Sequence, residues 1–309
     1  MQRREAATPV AGARDTGVGE ISRPPHTFWG DALRRLLRNR LAVAGLVVVG
    51  LLVIVAIFAP LIASNDPIFQ DYSATQETPS LHHLFGTDTL GRDVFSRMVY
   101  GARISLSVGI FTQLIILGIG IPVGLVAAFA GGRTDNFIMR GVDIVYAFPD
   151  LLLIVLLRAL LGGGLYMLFL AIGLVSWVNI ARLMRGQILS IKEQEFVTAA
   201  RASGASNGHI MLAHLLPNAL GPIIVSVAFG IPRAIFQEAA LSFIGIGVKP
   251  PTPSWGVMIY DGYQSIFAIP YAVLFPAIAI ALLMLAFTFL GDGLRDALDP
   301  RMAEEARRI

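Results

Sequence analysis

The chain has 309 residues, of which 55% are hydrophobic and only 15% charged, with 31 glycines, no cysteine and a net charge of +3. Soluble domains seldom combine so few charges with such long uncharged runs, and the missing cysteines exclude disulfides and thiolate metal sites. The excess positive charge does not point to nucleic acid, because eight of the 24 Lys and Arg residues fall within residues 1–40.

Residues 1–27 read as a flexible tail, rich in Ala, Gly, Pro and Thr and without a hydrophobic period. Phe28 to Arg40 reads as an amphipathic helix in the lipid interface, with Phe28, Trp29, Leu33, Leu36 and Leu37 on one side and arginines on the other. The apolar run 41–63 follows a 40-residue tail and has no small-residue cleavage site, so it reads as a span rather than a signal peptide. About 20 helical residues cross a bilayer core. Residues 41–63, 104–132, 159–181 and 262–291 contain no Asp, Glu, Lys or Arg and satisfy that length. Two further spans carry charges: 138–158 holds Asp143, Asp150 and Arg158, and 218–245 holds Arg233 and Glu238. The expectation is an all-α integral membrane protein with six transmembrane helices. With both termini in the cytoplasm, 18 of the 24 positive residues lie inside, as the positive-inside rule demands.

The division along the chain is then a cytoplasmic tail with its amphipathic helix at 1–40 and a first span at 41–63. An extracytoplasmic segment at 64–101 and a five-helix core at 102–292 follow, and a cytoplasmic tail closes the chain at 293–309. In the outer segment, His82 and His83 read as a solvated pair, since adjacent histidines cannot aim at one ion from a regular element. Asp93 to Ile104 reads as an interfacial helix feeding the second span. Pro122, with Gly118, Gly120 and Gly124 around it, permits close packing and a kink. Gly131-Gly132 closes that helix into a short inner loop.

Prolines adjoin ionisable residues at Pro149-Asp150 and Pro232-Arg233. Charges at membrane depth are costly unless they face protein or water. Asp150, Arg233 and Glu238 are therefore candidates to line a pathway, with a structural pair as the other reading. Arg158 fits snorkelling near a helix end. The stretch from Gly245 to Pro270 is rich in proline and aromatics, and Trp255, Tyr260, Tyr263 and Tyr271 read as markers of the outer boundary.

Of the two lysines, Lys192 and Lys249, neither sits in a phosphate-cradling G-x-x-x-x-G-K-[ST] loop. H-E-x-x-H and G-x-S-x-G patterns are missing as well. No catalytic residues, cofactor or metal ligands are expected, and the chain reads as a non-enzyme that binds no ATP itself.

A polar island at 193–217 interrupts the apolar pattern. Glu193 to Ser203 has good helix formers, Gly204 suits a left-handed cap, Ser206 can cap a second short helix, and Pro217 is expected to force the turn into the membrane. Phe196, Ala199, Ala200 and Ser203 share one helical face, and the small residues leave a smooth knob suited to a groove on a partner.

Thr198-Ala199-Ala200, Gly204 and His214-Leu215-Leu216-Pro217 resemble the E-A-A-x3-G-x9-I-x-L-P loop of ABC importer permeases, with Thr198 and His214 replacing the family's Glu and Ile. Glu195 supplies a charge near the first position. Phe85 to Arg97 with Gly101-Ala102-Arg103, Glu238 to Gly256, and Gly291 to Arg301 resemble segments of dipeptide/oligopeptide permeases of the C type (DppC/OppC). The resemblance implies a type I importer permease fold in a prokaryotic inner or plasma membrane. It implies a second permease subunit of the B type, two ATPase subunits docked on Glu195, Thr198, Ala199, Ala200, Gly204, His214 and Pro217, and an extracytoplasmic substrate-binding protein delivering peptide. A nickel or other small-solute importer of the same superfamily, or an ion-gradient-driven secondary transporter, is the alternative.

Overall fold

The computed structural model describes residues 28–299. The tail read at 1–27 and the residues from Pro300 onward, Arg301 among them, lie outside the described residues.

Helix α1 (Phe28–Arg38) gives way at Asn39, whose Oδ1 accepts from the Leu41 and Ala42 amides at 3.1 and 3.2 Å. This side chain satisfies two of the orphan donors that begin a helix and starts α2 (Arg40–Ile57). The apolar side of α1 is divided. Leu36 packs with Ala42 and Ala297, while Trp29, Leu33 and Leu37 face outward, so the helix is tied to the bundle as well as suited to an interface. A short α3 (Ala59–Ile62) leads into the segment that caps one end of the bundle, hereafter the cap end.

Asp93 does not start a separate interfacial helix. Its Oδ2 accepts from the Ser96 amide at 2.7 Å and opens α4 (Val94–Ala130), one unbroken helix of 37 residues. At 1.5 Å per residue that is about 55 Å, well beyond a hydrocarbon core of about 30 Å. Its length lets α4 belong both to the cap and to the bundle.

Gly131 and Gly132, with φ of +65° and +55°, reverse the chain without a loop into α5 (Gly132–Tyr146). α6 (Asp150–Leu161) then departs at 88°. Pro149 is therefore a sharp corner between two half-helices rather than a bend within one span. The two carboxylates of α5 are paired by arginines of α7 (Leu165–Ile191). Arg185 makes a two-pronged contact with Asp135 at 2.6 Å on each prong. Arg182 reaches Asp143 at 2.6 Å and lies 3.8 Å over the Tyr146 ring.

α4 and α7 form the most extensive helix pair. A Cβ on Gly120 would lie 2.8 Å from the Ile180 side chain, and one on Gly124 would strike the Ala181 carbonyl oxygen. Those two glycines set the close approach, whereas Gly118 faces open space.

After α8 (Glu195–Ala202) and α9 (Asn207–His209), a π-helical stretch Ile210–Leu215 runs straight into α10 (Leu216–Phe243). Pro217 makes no turn. It stands in the first turn of α10, where a missing N–H costs little.

α11 (Trp255–Tyr263) folds back into the cap end, and α12 (Tyr271–Leu298) closes the bundle. Among the described residues five helices are long and apolar enough to cross a membrane, and the bent pair α5–α6 makes a sixth if it counts as one span.

The boundary role expected for Trp255 is replaced by a core role. It is 1% exposed, and its Nε1 donates to the Met98 carbonyl at 3.0 Å. Tyr271 is likewise tied down, its hydroxyl donating to the Glu77 carbonyl at 2.6 Å. Tyr260 and Tyr263 remain exposed.

Candidate functional site

Opposite the cap, α1, the end of α7, the start of α10 and the end of α12 gather around a cleft of about 650 Å³ whose walls include Trp29, Gln187, Pro217 and Arg295. The polar island hangs from this end as helix, glycine corner and helix. Val197, 1% exposed, plugs α8 into a core with Ile188, Ile191, Ile210 and Leu215. The Ser203 amide donates to Ala199 O at 2.9 Å and the Ala205 amide to Ala200 O at 3.1 Å. Gly204 sits between them at φ +82°, where a side chain would be strained. The Ser206 Oγ accepts from the His209 amide at 3.3 Å and starts the second helix.

Glu195, Thr198, Ala199, Gly204 and Pro217 are exposed, while Ala200 and His214 are half-buried. His214 lies between the rings of Phe196 and His209, with centroids 6.4 and 5.4 Å away. The loop thus brings Phe196 and His214 together across the glycine corner and presents a low-relief face. Val197 was not singled out from the sequence. The only signal it carries is that it is the β-branched apolar residue opposite the small ones.

The second feature is a cavity of about 140 Å³ between α4, α7 and α10. Gln113, Ser176, Asn179, Ser226 and Gln237 supply uncharged polar groups to its wall, and Arg233 the charge. Arg233 donates to Asp150 Oδ2 at 2.9 Å, and both are partly open, with side-chain exposures of 59% and 34%. The corner at Pro149 is what carries Asp150 to α10. The polar lining residues were missed from the sequence because single Ser, Asn or Gln residues in apolar runs carry no periodic signal.

Glu238 stands apart from this pair. It is fully buried and has no face on the cavity. Its Oε1 accepts from the Ser242 hydroxyl at 2.6 Å and the Ser254 hydroxyl at 2.7 Å, which joins the end of α10 to the start of α11. Arg158 does not snorkel. It is 4% exposed, and its guanidinium donates to the carbonyls of Gly162, Gly164, Ile246 and Gly247 at 2.6, 2.9, 3.2 and 3.1 Å. That clasp holds the α6–α7 turn against the exit of α10.

The cap contains a buried ionic cluster. Asp88 accepts from Arg92 at 2.6 Å, and Asp261 accepts from Arg92 at 2.7 Å and from Arg97 at 3.1 Å. His83 Nδ1 is 2.9 Å from Asp93 Oδ1, so one of the two adjacent histidines is partnered rather than solvated.

A bundle of bent apolar helices around a polar cavity, with a rigid helical loop at one end, is the architecture of a membrane transport component. The chain belongs to the family of binding-protein-dependent transport system inner membrane components, whose family model matches residues 120–304. The model for the N-terminal transmembrane domain of oligopeptide transport permease C matches residues 27–79. It is an integral membrane permease subunit rather than an ATPase.

The chain is 41% identical over 292 residues to the oligopeptide transport system permease protein OppC of Bacillus subtilis, covering 94% of this chain and 96% of the relative. It is 44% identical to the dipeptide transport system permease protein DppC of the same species, covering 91% and 88%. The glutathione transport system permease protein GsiD of Escherichia coli is 43% identical, with 92% of each covered. Among solved structures, the inward-facing MetNI methionine ABC transporter has the same fold. Its TM-score is 0.56 at 20% identity, covering 66% of this chain and 97% of that one.

Proposed function

We propose that this chain is one of two non-identical membrane-spanning subunits of an ATP-driven peptide importer, with its termini in the cytoplasm. Two ATPase subunits dock on the loops of the pair, 193–217 in this chain, and a substrate-binding protein delivers the solute at the cap end. The observation that carries this reading is the geometry of the loop. Its docking face, Glu195, Thr198, Ala199 and Ala200, is pinned to α7 and α10 through Val197 and Ile210, so displacement of α8 pushes directly on the helices that line the cavity.

The solute class rests on relatives whose solutes are an oligopeptide, a dipeptide and glutathione, all of which contain peptide bonds. Asp150 and Arg233 belong to the pathway in this reading. Glu238 braces α10 against α11 beside it.

The test is purification of the tagged chain in mild detergent, followed by an ATPase assay on the co-purifying proteins. Recovery of ATPase and second-permease subunits, with hydrolysis coupled to uptake lost in Gly204→Pro, is the expected result. A chain that purifies alone and supports uptake without an ATPase sinks the proposal.

A further inference from the structure

The cavity wall combines five uncharged hydrogen-bonding side chains, one cation and the apolar surfaces of Ile116, Ile180, Phe229 and Ala234. Ser176 Oγ is buried in that wall with no hydrogen-bond partner, and a buried hydroxyl left without a partner is costly. The Gln113 amide lies flat on Gly230, where a Cβ would come within 2.5 Å of its Nε2. The wall is therefore shaped for a guest that both donates and accepts hydrogen bonds without a fixed side-chain identity. At about 140 Å³ it is small beside the roughly 300–1,000 Å³ of pockets that enclose whole ligands, so it takes the end of a solute.

Arg233 decides which end. It is the cation of the wall, and it holds Asp150 by one contact at 2.9 Å in an open setting, where ion pairs contribute little and exchange readily. Guanidinium groups bind carboxylates in two-pronged fashion, and only one prong is in use here. Asp150 is also the first residue of the 12-residue α6, so its carboxylate stays favourably placed at a helix N-terminus once released.

We propose that the Asp150–Arg233 pair is a carboxylate-exchange latch, in which the free C-terminal carboxylate of a peptide displaces Asp150 from Arg233 while its terminal amide meets Ser176, Asn179 and Gln113. The latch rests on the importer reading and adds to it the chemical end of the solute that the permease reads.

The test uses the complete complex, with its ATPases, second permease and binding protein, in proteoliposomes. Uptake of a tripeptide with a free C-terminus is compared with uptake of its C-terminal amide. The same binding protein serves every variant, so a change in the ratio belongs to the permease. The free-to-amide ratio is expected to fall about tenfold in R233Q and by less in R233K, which keeps the charge but loses the two-pronged geometry. An unchanged ratio in R233Q, with both rates scaled together, overturns the latch.

Should R233Q take up neither peptide, D150N decides. Removal of the competing carboxylate raises the ratio above wild type if the latch is real, and a ratio at or below wild type overturns it. Failure of the wild-type complex to take up either peptide removes the importer reading itself, which is a separate outcome from an unchanged ratio.

Discussion

Arg97 and Asp261 are 164 residues apart in the chain and 3.1 Å apart in space. Through this contact the first turn of α4 and the return of α11 become one rigid cap. Arg92, in the segment before α4, shares the same carboxylate oxygen at 2.7 Å, so two buried cations converge on Asp261, with Asp88 as the second carboxylate of the cluster.

Asp261→Ala leaves Arg92 and Arg97 to share the single carboxylate of Asp88. Breaking a buried pair from one side costs about 3–5 kcal/mol, and about 3 is expected here because Asp261 is itself partly exposed. Thermal unfolding in detergent reads this as a lowered midpoint, and the cap residues lose protease resistance first. An unchanged midpoint refutes the bracing role.

Arg158 gives a second stability test. Arg158→Lys keeps the charge but cannot span the four carbonyls of Gly162, Gly164, Ile246 and Gly247, since an ammonium is a compact point charge. Hydrogen bonds to a charged group contribute about 1.5–3 kcal/mol, so Arg158→Lys and Arg158→Met both loosen the 162–164 turn. Amide hydrogen exchange at Gly162 and Leu168, whose N–H groups donate to the Arg158 and Gly164 carbonyls, is the direct measurement, and it should accelerate in both variants.

The α4–α7 seam separates glycines that look alike in the sequence. Gly124→Ala forces a methyl against the Ala181 backbone, and overpacking of this kind costs about 1–3 kcal/mol. Gly118→Ala meets nothing within 4 Å and is expected to leave the yield of folded protein unchanged. Side-by-side expression and gel filtration distinguish the two, and equal behaviour would mean that the seam is not close-packed.

Loop rigidity is tested at three places. Gly204→Pro and Ala200→Trp are expected to abolish transport while membrane insertion stays normal, the first by breaking the corner at φ +82° and the second by filling the docking face. Val197→Ala removes the plug that seats α8. Truncations of this kind in a core cost about 1–3 kcal/mol, and the expected signature is ATP hydrolysis that continues while uptake falls. Normal uptake in all three, at normal expression, refutes coupling through this loop.

Much of this protein was legible in its sequence. Long uncharged runs fix membrane spans by length alone, and the helix–Gly204–helix pattern follows from cap chemistry that acts over a few residues. Asn39 capping α2, Asp93 capping α4 and Ser206 capping α9 are local relations of the same kind. The misplaced features share a cause. Trp255, Arg158 and His83 were read by their residue types as surface or interface groups, yet each is held by partners that sequence distance hides: Met98, Gly247 and Asp93.

Tertiary structure alone decided where charges go. An apolar bundle tolerates a buried ionisable side chain only with a partner in place, so Asp135 required Arg185, while the corner at Pro149 is what brings the more open Asp150 to Arg233. It also separated Glu238 from that pair. On α10 Glu238 lies five positions beyond Arg233, and that offset turns it away from the cavity towards Ser242 and Ser254. Hydropathy and capping are short-range and survive in the one-dimensional string, whereas the pairing of buried charges depends on which helix faces meet, and only the packed bundle settles that.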